Sequence, residues 1–97
     1  MDARLVPGEE YSIVPKGDVR AKYLGQIGER AYFSARGGRL FLAALDSALE
    51  RIGDSVKLKN PQEKITILAG DLAMFSERDR RNILKLINGL EARATVQ

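Results

Sequence analysis

The chain has 97 residues, 44% hydrophobic and 30% charged, with a net charge of +3. That length holds one domain, with no room for two independent cores, and that balance belongs to a globular chain rather than a disordered one. There is no Cys and no His, which excludes disulfides, thiolate metal sites and thiol chemistry, and removes the side chains most used for acid–base work near neutral pH.

The charges are mixed along the chain. Residues 1–53 carry eight basic and seven acidic side chains, and residues 54–97 carry eight and six. Neither half is a basic tail, so a polyanionic partner is compatible with the charge but not demanded by it. No stretch approaches the ~20 apolar residues that cross a bilayer, and Met1-Asp2-Ala3-Arg4 is not followed by the apolar run of a signal peptide. A cytoplasmic location with no membrane partner is expected. There is no internal repeat and no low-complexity segment.

Residues 1–9 read as an entry segment with a turn at Pro7-Gly8. Tyr11, Ile13 and Val14 predict a short strand, closed by Pro15 and the turn-prone Lys16-Gly17-Asp18. Val19, Ala21 and Tyr23 alternate with Arg20 and Lys22, and Ala31 and Phe33 alternate with Arg30, Tyr32 and Ser34. That period of two belongs to half-buried strands. Gly25-Gln26-Ile27-Gly28 is the expected hairpin loop. A three-residue loop with a bulge pairs Ala21 with Ala31 and Val19 with Phe33, and gathers Arg20, Lys22, Arg30 and Tyr32 on the other face. A helix over 19–33 is the rival, but Gly25 and Gly28 would each cost it about 1 kcal/mol.

Residues 38–52 predict a helix. Phe41, Leu45, Ala48 and Ile52 form one stripe, Asp46 and Glu50 lie opposite, and Gly53 follows where a left-handed cap is expected. Residues 55–75 read two ways. Val56-Lys57-Leu58-Lys59 and Lys64-Ile65-Thr66-Ile67-Leu68 alternate like a hairpin around Asn60-Pro61-Gln62-Glu63. The same Asn-Pro-Gln-Glu also starts a helix well, and a helix over 61–75 aligns Ile65, Leu68, Leu72 and Phe75. The helix is favoured, although the β-branched Ile65-Thr66-Ile67 and Gly70 weigh against it. Ser76 caps a last helix over 77–92, with Asp79 three residues on, Ile83, Ile87 and Leu90 facing inward and Arg78, Arg81 and Lys85 outward. The expected fold is α+β: a small antiparallel sheet from residues ~10–36, packed against two or three C-terminal helices at ~38–52, ~61–75 and ~77–92.

Motifs for catalysis are missing. There is no Gly-x-Ser-x-Gly elbow, phosphate loop or dinucleotide fingerprint. Glu9 and Glu10 diverge on a strand, and Asp54, Glu63 and Asp71 are isolated. No enzymatic activity, cofactor or metal is expected. Gly37-Gly38-Arg39 could present amides to a phosphate, but a lone Gly-Gly lacks the spacing of such a motif and reads as a turn.

Binding is the function left. In a helix over 61–75, Ile67 and Met74 fall opposite the main apolar stripe, which leaves them for a partner. The expected function is that of a small regulatory or adaptor protein. It would bind another protein or a second copy of itself through Ile67 and Met74, with Arg78, Arg81 and Lys85 as a polar rim. The alternative is a basic regulator of DNA or RNA, in which Arg20, Lys22 and Arg30 neutralise phosphates and Tyr32 stacks a base. The join between 61–75 and 77–92 is too short for a helix-turn-helix.

Overall fold

The computed structural model describes residues 5–14, 19–58 and 68–95. Among them, seven strands precede one α-helix: β1 (Glu10–Val14), β2 (Val19–Ile27), β3 (Arg30–Ala35), β4 (Leu40–Leu45), β5 (Leu49–Ile52), β6 (Ser55–Leu58), β7 (Leu68–Gly70) and α1 (Glu77–Thr95). The strands form one mixed sheet in the order β5-β6-β1-β2-β3-β4-β7. Strands β1 and β6 run parallel, and the other neighbours are antiparallel. The class is α+β, as the patterning predicts, but with one described helix where two or three were expected.

The expected helix over 38–52 is instead β4, a 3-10 turn at Asp46–Ala48, and β5. The helical spacing of Phe41, Leu45, Ala48 and Ile52 is fortuitous. Strand β4 lies inside the sheet, between β3 and β7, and is covered on both sides. Phe41 and Ala43 pack under α1, while Leu42 and Ala44 pack in the other core. A strand buried on both faces reads as an unbroken apolar run, which periodicity alone does not separate from a helix. Gly53 does adopt a left-handed φ of 62°, but as the first residue of the two-residue turn between β5 and β6. That is the position at which short hairpins favour glycine.

The favoured helix over 61–75 is also corrected where it can be compared. Leu68–Gly70 is a strand, and Leu72–Met74 is a 3-10 turn. The Lys16-Gly17-Asp18 turn, Asn60-Pro61-Gln62-Glu63 and Ile65-Thr66-Ile67 lie outside the described residues. Gly37-Gly38-Arg39 belongs to the loop of the β3–β4 hairpin rather than to a strand–helix step. There Arg36 has φ 53°, the one non-glycine positive φ among the described residues. For an L-residue that conformation costs about 1–2 kcal/mol.

The β2–β3 hairpin forms with a register different from the expected one. Its turn is Gly28-Glu29, and Ala21 pairs with Ala35, Tyr23 with Phe33 and Gly25 with Tyr32. A bulge lies between Tyr23 and Gly25. Leu24 is the extra residue, so Leu24 and Gly25 both fall on the side facing α1. This matters for packing. A Cβ on Gly25 would stand 2.8 Å from Leu86 Cδ2, and Gly25 has φ 141°. The bulge therefore supplies both an extra apolar contact and a bare backbone against which the helix settles.

The two faces of the sheet carry two cores. Tyr11, Ile13, Tyr23, Phe33, Leu42, Leu49 and Val56 build one. Its members come from both outer and central strands, and Leu49 and Val56 line the same small void as Phe33 and Leu42. The sheet must curl for these to meet, so this face is concave. On the other face Leu24, Tyr32, Phe41, Phe75 and Ile83 are buried, with Leu86, Ile87 and Leu90 packed alongside.

Candidate functional site

The helix is held to the sheet by a polar cluster within the second core. Ser76 caps α1 as expected, its Oγ accepting a hydrogen bond of 3.2 Å from the Asp79 N–H. The Asp79 carboxylate does not turn back to the cap. It is 2% exposed and points at the sheet. The Tyr32 hydroxyl donates to Asp79 Oδ1 at 2.6 Å, and Arg30 Nη1 donates to Asp79 Oδ2 at 3.2 Å. Asn82 Nδ2 donates to the Tyr32 oxygen at 3.0 Å. Each buried polar atom in the cluster thus has a partner, which is what makes a buried carboxylate tolerable.

Burial pushes the Tyr32 hydroxyl above its ordinary pKa, and its hydrogen bond to Asp79 pushes the same way. The phenol is covered by α1 and stays protonated at neutral pH. Its role in this geometry is to fix the helix. Among the described residues, no three acidic side chains converge as a metal site would require.

The outward side of α1 carries Arg78, Arg81 and Lys85, all exposed. Arg81 pairs with Glu77 one turn back at 3.2 Å, and such exposed pairs are worth only a few tenths of a kcal/mol. Leu84 lies on the same side, about half exposed. Met74 is 74% exposed, the most exposed large hydrophobic side chain among the described residues. It sits in the turn directly before α1 and packs against Gly70 of β7. Of the proposed partner-binding set, Met74, Arg78, Arg81 and Lys85 are therefore on the surface, and Ile67 lies outside the described residues.

Arg20, Lys22, Arg30 and Tyr32 do share the face of the sheet that looks toward α1, as expected, but they do not form one binding surface. Tyr32 is buried, so it has no free ring to stack a base. Arg30 is bound to Asp79, and Lys22 lies opposite Ser34 rather than Arg30. Arg20 is exposed and paired with Asp54 at 3.0 Å and Glu10 at 3.8 Å. Arg20 and Lys22 instead line an open groove of about 470 Å³ between the sheet and the C-terminal half of α1, whose apolar surfaces are Leu24, Phe41, Ile87 and Leu90.

The sequence gives no signal for that groove, because Arg36 and Phe41 reach it only through the β3–β4 hairpin. The Tyr32–Asp79 bond is equally hidden, since a carboxylate at the third position of a helix reads first as part of a cap. No helix among the described residues is long and apolar enough to cross a membrane. Comparison of the chain with protein-family models, curated proteins and solved structures finds no match.

Proposed function

We propose that this protein is a non-catalytic regulatory or adaptor domain that acts by contact with another protein. The observation that carries the proposal is Met74, an unbranched and adaptable apolar side chain standing in solvent at the start of a helix with a cationic outer side. An exposed apolar anchor in the turn before a helix that carries Arg78, Arg81 and Lys85 on its surface suits a partner with an apolar spot and acidic surroundings. Burying Met74 would contribute roughly 1.5–3 kcal/mol, and the cations would steer orientation and on-rate.

A second copy of the chain is a poorer occupant of this surface. A two-fold contact would bring the Arg78, Arg81 and Lys85 sets toward each other, and like charges across an interface are costly. Nucleic-acid binding would depend on cations alone, because Tyr32 is committed to Asp79.

Affinity capture from an extract of the source cells, with and without nuclease, tests the proposal. Nuclease-resistant capture of an acidic protein that is lost with Met74→Ser supports it. Capture abolished by nuclease, or unchanged by Met74→Ser, refutes it.

A further inference from the structure

We propose that the groove between α1 and the central strands β1 to β4 of the sheet binds an amphipathic carboxylate, a small molecule with an apolar tail and one anionic head. Its open volume of about 470 Å³ falls in the range of small-molecule sites. Leu24 and Phe41 on the sheet and Ile87 and Leu90 on the helix form an apolar trough for the tail.

The head is assigned by charge. In the β2–β3 register Lys22 lies opposite Ser34 and Ala21 opposite Ala35. Strand β3 ends at Ala35 and Arg36 begins the turn that follows, on the same groove as Arg20 and Lys22. Arg20, Lys22 and Arg36 thus line one groove, with Glu10 directly across from Lys22 in the β1–β2 register. Arg20 is neutralised by Asp54 and Glu10. Lys22 and Arg36 make no ion pair within 4 Å among the described residues, although Glu10 stands across from Lys22.

A second observation concerns the backbone. Arg36 is held at φ 53° in the loop that borders the groove. Strain of this kind on a non-glycine residue concentrates where a side chain must be aimed. A carboxylate between Lys22 and Arg36 makes two charge-assisted hydrogen bonds. Glu10 and Glu91 also line the groove, so it suits a ligand with a single anionic group. The site is separate from Met74 and can fail without affecting the proposed protein contact.

The test is an amide NMR titration of the full chain with decanoate, decanol and decyltrimethylammonium, each kept below its micelle concentration. Decanoate is expected to give saturable single-site shifts at Lys22, Leu24, Arg36, Ile87 and Leu90. Decanol should bind about tenfold more weakly or worse, because it lacks the charge-assisted contacts. Lys22→Gln with Arg36→Gln should weaken decanoate at least about tenfold, and Lys57→Gln, outside the groove, should leave it unchanged. The proposal is overturned if no saturable shift occurs, if decanol matches decanoate, or if the double variant binds decanoate like the wild type. Displacement of decanoate by a single-stranded oligonucleotide at equal or lower concentration would also overturn it, by assigning the cations to a polymer.

Discussion

The Tyr32 hydroxyl donates a 2.6 Å hydrogen bond to the Asp79 carboxylate, joining β3 to α1 across 47 residues of sequence with both side chains buried. This bond, the Arg30–Asp79 ion pair and the hydrogen bond from Asn82 to the Tyr32 oxygen are polar contacts that place the helix on the sheet. Asp79→Ala leaves a buried hydroxyl and a half-buried guanidinium without their acceptor. It should cost about 2–4 kcal/mol in denaturant unfolding, somewhat less than a fully buried pair because Arg30 is partly solvated. Tyr32→Phe keeps the ion pair and should cost about 1–2 kcal/mol. The double-mutant cycle should return a coupling above about 0.5 kcal/mol, and additivity would mean that the bond does not hold the helix.

The tyrosines make the fold sensitive to alkali. Tyr23 is pushed up to about 12, by burial first and then by the Asp46 carboxylate, and Tyr32 is shifted upward as well. In the unfolded chain both would ionise near their ordinary value of about 10. Their contribution is therefore fully present below pH ~10 and is lost as pH rises toward the folded values, at up to about 1.4 kcal/mol per pH unit for each group. Unfolding free energies measured from pH 8 to 12 should be level with respect to these two groups up to about 10 and then fall. Tyr32→Phe should reduce the fall.

Gly25 is a test of the bulge. Gly25→Ala places a methyl against Leu86 and holds a non-glycine residue at φ 141°. A loss of about 1–3 kcal/mol is expected by thermal or denaturant unfolding. Leu86→Ala in the same chain removes the contact but not the backbone strain, so it should not restore stability. Wild-type stability in Gly25→Ala would mean that the helix does not approach the sheet at this point.

Much of the fold is legible in local pattern and little of it in the longer-range arrangement. The alternation of Val19, Ala21 and Tyr23, and of Ala31 and Phe33, specifies strands because each has one face to the concave core. Strand β2 then runs on to Ile27, so the turn falls at Gly28-Glu29 rather than over 25–28 and shifts the pairing, with one further residue of offset at the Leu24 bulge. Residues 38–52 mislead for a different reason. Leu, Ala and Phe in Leu40–Leu45 satisfy both faces of a two-sided strand and also form a helical stripe, with no β-branched residue to decide between them. The last helix is read correctly because its cap, stripe and cationic side agree. The candidate surfaces divide in the same way. Arg78, Arg81 and Lys85 follow from helical spacing alone, whereas the grouping of Lys22 with Arg36 and Ile87 depends on strand register and helix docking.

The outer side of α1 and Met74 in the turn before it should be dispensable for folding. Met74→Ser, Arg78→Glu and Arg81→Glu each alter a side chain that is exposed. Each should change stability by no more than about 0.5 kcal/mol, as checked by thermal unfolding. A larger loss would place these residues among the structural ones. By contrast, Ile83→Ala, at a fully buried position under the same helix, should cost about 2–4 kcal/mol.

The most direct measurement compares capture by the wild-type chain with capture by the folded triple variant Met74→Ser/Arg78→Glu/Arg81→Glu, in nuclease-treated extract and at matched bait concentration. The wild type should retain an acidic protein that the variant releases. Recovery of the same protein in the same amount by both baits would contradict the assignment of this surface to partner binding.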